Sequence, residues 1–123
     1  MNWHKYTLNE WLEQFGAWCY KQGRVMPSRL ETNQIYHLMQ SVRPTPKTVR
    51  YCCITDDEAL AVNRVLCETA VFMPDGVELL VLNKCDGMTV RAIEQVKGQK
   101  FNHILKMIDN TRHYLAGYLG LPP

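Results

Sequence analysis

The chain has 123 residues and a mass of 14.3 kDa, enough for one hydrophobic core and too few for two. With 46 % hydrophobic and 21 % charged residues it is not a disordered chain, and no apolar run approaches the roughly 20 residues that span a bilayer. The net charge of +2 is unevenly spread: residues 1–54 carry seven Lys/Arg against three Asp/Glu, residues 55–96 three against eight, and residues 97–123 four against one, so a phosphate-binding surface has to come from the ends.

The opening "MNWHKYTLNEW" lacks the apolar core of a secretory signal, and "VELLVL" is cut short by Asn83 and Lys84, so a cytoplasmic protein is expected. Five cysteines (Cys19, Cys52, Cys53, Cys67, Cys85) form an odd set without a C-x-x-C pair. That usage fits reduced thiols and offers no spacing for a structural zinc, so neither a metal nor a cofactor is expected.

In "TLNEWLEQFGAWCYKQG", Thr7 and Glu10 make a capping box, and Leu8, Trp11, Leu12, Phe15, Trp18 and Cys19 fall on one helical stripe. This predicts a helix over about 8–21, ended by Gly23, with its aromatics in the core. Residues 24–54 are less regular: "NQIYHLMQSV" suits a short helix, two prolines in "RPTPK" break it, and "TVRYCCI" reads as an extended connector without a partner strand.

Thr55 and Glu58 form a second capping box before a helix over about 56–72, with Ala59, Val62, Leu66 and Ala70 on its buried side. Asp56 and Asp57 sit where the helix dipole favours negative charge, which accounts for the acidic cluster without a catalytic or metal role. Pro74 and Asp75 then open a helix to about Lys84, closed by Gly87; Thr89 caps "VRAIEQV", which ends near Gly98; the last helix runs from about Gln99 to Tyr118. The fold class predicted is all-α: one compact helical domain over 1–123.

A short helix, a Gly-containing turn and an amphipathic second helix are the parts of a helix-turn-helix, placed here at about 76–118. On the last helix Phe101, Ile104, Leu105, Ile108, Leu115 and Leu119 share one side, while Gln99, Asn102, His103, Lys106, Asn110 and His113 fall on the other. Amides and ammonium groups there suit base edges and phosphates. Lys97 and Lys100 add charge where the helix starts, and Thr89 and Arg91 are placed to touch phosphates from the preceding helix. The candidate DNA-binding set is therefore Thr89, Arg91, Lys97, Gln99, Lys100, Asn102, His103, Lys106 and Asn110. Arg112 falls on the apolar side and fits there only by snorkelling at its edge. A plain helical corner that binds protein shares the same cues.

"LNEWLEQFGAW", "RYCCITDDEALAVNRVL" and "GMTVRAIEQV", in this order and spacing, resemble the phage antitermination protein Q family, in particular its short lambdoid members, from about Leu8 to Leu119. The resemblance implies a sigma-factor-like helix-turn-helix and a late-gene antiterminator. Such a protein binds double-stranded DNA near a late promoter, is loaded onto paused RNA polymerase with its sigma factor, and acts near the RNA exit channel so that terminators are read through. Carried over by position, Gly87, Met88 and Thr89 would open the DNA-reading element and Gln99, Asn102, His103 and Lys106 would form its face. "VKGQKFNHIL" departs from the family pattern, as it would if each member reads its own element. The resemblance assigns no polymerase-contacting residues; the acidic 56–68 face and the basic 21–50 region are candidates.

Two rival readings remain. Four histidines (His4, His37, His103, His113) and the thiols come without a nucleophile elbow, P-loop or H-E-x-x-H, so the residues suggest no enzyme mechanism. A small adaptor or inhibitor that binds a host protein without DNA is the stronger rival; Trp3, Tyr6, Tyr114 and Tyr118 would supply its anchors unless they pack on the core.

Overall fold

The computed structural model describes residues 1–22 and 52–123. The expected Gly23 cap, the short helix of "NQIYHLMQSV", residues 23–50 of the basic 21–50 region and most of "TVRYCCI" lie outside the described residues. The described chain is all-α, with five α-helices and no strand. After a 3-10 turn at Trp3–Lys5 come α1 (Leu8–Gln22), α2 (Asp56–Phe72), α3 (Pro74–Leu80), α4 (Val90–Lys97) and α5 (Phe101–Leu119).

Both capping boxes form. The Thr7 N–H donates to Glu10 Oε1 at 2.9 Å while the Glu10 N–H donates to Thr7 Oγ1 at 3.2 Å. Thr55 and Glu58 repeat the exchange at 2.9 and 3.1 Å. The whole predicted stripe of α1, Leu8, Trp11, Leu12, Phe15, Trp18 and Cys19, is buried. Trp18 Nε1 donates to Asp56 Oδ1 at 2.9 Å, so one carboxylate of the acidic cluster also ties α1 to the start of α2.

The helix expected through Lys84 changes geometry part-way. α3 stops at Leu80 and continues as one π turn, Val81–Cys85, closed by the Asp86 N–H on the Val81 carbonyl at 3.0 Å. This turn packs directly on α1. A Cβ at Gly16 would lie 1.8 Å from the Cys85 carbonyl oxygen, so the two backbones touch there and glycine is required. Gly87, at a φ of 80°, then reverses the chain, and Asn83 Nδ2 donates to the Met88 carbonyl at 2.8 Å to hold the bend.

Cys19, one turn beyond Gly16 on α1, and Cys85 are both buried. Burial, helped by the neighbouring Cys85 and Cys52 thiols, pushes the Cys19 thiol well above its ordinary range. The core is completed by Leu66 of α2, Val77, Leu79 and Leu80 of α3, Val81 and Leu82 of the π turn, Ile93 of α4, and Ile104 and Leu115 of α5. No described helix is long and apolar enough to cross a membrane.

Candidate nucleic-acid interface

Thr89 and Gly98 set the length of α4. Thr89 Oγ1 accepts from the Ala92 N–H at 3.1 Å, and Gly98 takes the left-handed conformation at a φ of 68° to end the helix. Lys100 is extended as the N-cap of α5, which leaves a turn of only Gly98 to Lys100 between the two helices. α5 therefore starts at Phe101, two residues later than the periodicity suggests. Gln99 leaves the helical face it was assigned to and lies half-buried in the turn, its Oε1 buried without a hydrogen-bond partner.

α5 is anchored by Ile104, Ile108, Thr111, Leu115 and Ala116, all buried, with Phe101, Met107 and Leu119 half-buried beside them. It packs on α3 and on α4. The Thr111 hydroxyl donates to the Met107 carbonyl at 2.8 Å, which lets a polar residue sit in the core. Leu105 departs from the predicted apolar side and is 41 % exposed. Helix geometry places it about 75° from the centre of the buried stripe, at the flank of the packed face. Arg112 snorkels as its position requires: its side chain is 22 % exposed and its Nη2 lies 3.5 Å from Asp109 Oδ1.

Asn102, His103, Lys106 and Asn110 are all exposed on the opposite face, and among the described residues none makes a hydrogen bond or ion pair within the chain. His113, also exposed, donates from Nδ1 to the Asp109 carbonyl at 2.7 Å. Lys100 is exposed and its side chain does not cap the helix, so the first N–H groups of α5 receive no side-chain cap at its solvent end. Arg91 has an exposed side chain, and its guanidinium lies over the Phe101 ring at 4.3 Å with Glu94 Oε1 3.4 Å away. That stack holds one cation of α4 beside the first turn of α5, a coupling the linear sequence does not reveal. Lys97 is turned away instead: its ammonium pairs with Glu78 of α3.

The aromatic anchors divide. Trp3 and Tyr6 meet Trp11 edge-on with ring centroids 5.3 and 4.9 Å apart, and Trp11 Nε1 donates to the Trp3 carbonyl at 2.8 Å, so these two pack on the core. Tyr114 and Tyr118 remain exposed and line up with Phe72, each ring 6.4 Å from the next, with Val71 exposed next to Phe72 in sequence.

A family model of phage antitermination protein Q matches residues 5–121, all but a few residues at each end. The chain belongs to the phage antitermination protein Q family. Every residue of the candidate interface lies inside the matched span, and membership gives the chain a phage antiterminator role. No curated protein and no solved structure matches the chain. The family is one of transcription regulators.

Proposed function

We propose that this antiterminator binds double-stranded DNA near a late promoter through the first turns of α5, and passes from there to RNA polymerase with its sigma factor, which then reads through terminators. In this reading α4 and α5 are the two helices of a helix-turn-helix, and α5 enters the major groove. The observation that carries the reading is the open face of Asn102, His103, Lys106 and Asn110 on a helix fixed from behind by Ile104, Ile108 and Leu115. A rigidly held helix with uncommitted amide and ammonium groups meets the requirement for groove readout: the groups are positioned beforehand and lose no internal partner on binding.

Each residue takes a role set by its chemistry. Asn102 offers an amide that can pair bidentately with adenine, while Lys106 and Lys100 supply charge to phosphates. Arg91, already stacked on Phe101, presents its guanidinium where a backbone phosphate would pass. The N–H groups at the start of α5, which no side chain caps, are suited to a phosphate as well. Thr89 keeps its hydroxyl proton for the same purpose while its oxygen serves as the cap. Lys97 takes part only by giving up Glu78, and Gln99 only by leaving its half-buried position.

The exposed Val71, Phe72, Tyr114 and Tyr118 favour a second surface for protein, and they suit contact with polymerase while α5 holds DNA. A transcription assay through a terminator, on templates with and without the phage's own late-promoter region, tests the reading. Readthrough only on the template carrying that region is the expected result. Readthrough on both templates equally would leave an adaptor that needs no DNA site, and readthrough on neither would overturn the proposal.

A further inference from the structure

Leu105 is the one large apolar side chain in the first two turns of α5 that faces solvent, at 41 % exposure. Its surface neighbours three before and four after are Asn102 and Asp109, both exposed and polar. The i−4 neighbour is Phe101, whose ring carries the Arg91 guanidinium at 4.3 Å. Leu105 therefore sits in the surface between the stacked cation and the free amide of Asn102, with no described core to cover it. A branched alkyl group held there gains nothing from water, and on a major-groove floor the apolar feature it can meet is the C5-methyl of thymine.

We propose that Leu105 is a specificity-determining residue that reads thymine methyl groups in the DNA element. This rests on the reading of α5 as the groove-entering helix and adds an apolar contact beside the Asn102 hydrogen bonds. A leucine at this place favours T·A over C·G pairs without making a hydrogen bond, because cytosine presents a bare C5 position there. Its contribution comes from removing one methyl group and part of the isobutyl surface from water, so it is independent of salt, unlike that of Lys106.

The experiment uses the full chain and two duplexes of the late-promoter region, one with thymine and one with every thymine replaced by deoxyuridine, which removes the methyl groups and keeps the pairing edges. Wild type is expected to bind the deoxyuridine duplex about three- to tenfold more weakly, and Leu105→Ala to bind both duplexes alike, near the weaker level. Leu105 is exposed, so the variant keeps the fold, which its helical circular dichroism checks. Equal binding of both duplexes by wild type, or an undiminished thymine preference in Leu105→Ala, overturns the assignment while leaving DNA binding in place. Failure of wild type to bind either duplex removes the DNA reading itself and this assignment with it.

Discussion

Gly16 and Gly76 are both buried in helix contacts, yet they differ in what a methyl group would meet. At Gly16 it would meet the backbone carbonyl of Cys85 at 1.8 Å; at Gly76 it would meet the Thr111 hydroxyl at 2.1 Å and the Thr111 Cβ at 3.5 Å. A backbone cannot step aside without moving the π turn, whereas a hydroxyl can be removed. Gly16→Ala is expected to lose about 3 kcal/mol in urea unfolding, the upper end for overpacking. Gly76→Ala is expected to lose about 1–2 kcal/mol alone and close to nothing in a Thr111→Ala background, a coupling that a double-mutant cycle reads directly. If the two substitutions at Gly76 and Thr111 prove additive, the α3–α5 contact is not the one described. Neither close approach is visible in the sequence, where both glycines look like defects inside helices.

At the scale of elements, the Thr55–Glu58 capping box carries pH sensitivity as well as a helix boundary. Glu58 accepts from the Thr55 backbone N–H, and chiefly for that reason its carboxyl is held below the ordinary 4.5, with Lys5 Nζ at 3.2 Å from Oε2 adding to the effect and partial desolvation opposing it. A depressed carboxyl stabilises the fold fully above its unfolded value, and the contribution is lost as pH falls through the lower folded value. Wild type should therefore lose stability on acidification below about pH 4.5, and Glu58→Gln should show a shallower fall over that window, measured as urea midpoint against pH. Equal slopes for the two proteins would remove Glu58 from the acid limb.

These elements were largely legible beforehand, because caps, prolines and glycines act within a few residues of where they stand. Thr55 and Thr89 start their helices and Gly87 and Gly98 end segments where the local chemistry requires. Two departures share a cause. The π turn at Val81–Cys85 comes with backbone contact against α1, and the late start of α5 follows from the three-residue turn that α4 and α5 must share to pack together. Both are settled by neighbours distant in sequence, which periodicity does not register.

For the molecule as a whole, the two substitutions on α5 separate attraction from recognition. Lys106→Ala should weaken binding to late-promoter DNA and to unrelated DNA alike and reduce the slope of log affinity against log salt by about 1. Asn102→Ala should leave that slope unchanged and weaken the preference for the specific element by about 1–3 kcal/mol, measured as the ratio of the two affinities. Should both variants match wild type, α5 is not the reading helix. The rest of the molecule supports this division: the acid-rich start of α2 is partly engaged internally, by Trp18 on Asp56 and Lys5 on Glu58, while the described face of α5 stays open.

The sequence by itself determined the all-α class, the helix starts at Thr7, Thr55 and Thr89, the buried stripe of α1 and the family, since each depends on residue order and on chemistry within a turn or two. Only the tertiary structure decided which members of the candidate interface are presented. It drew Gln99 into the turn, paired Lys97 with Glu78, stacked Arg91 on Phe101 and left Leu105 in solvent. The physical reason is that a helical wheel gives each side chain a direction, while exposure and partnership depend on which other helices lie in that direction and how near they come.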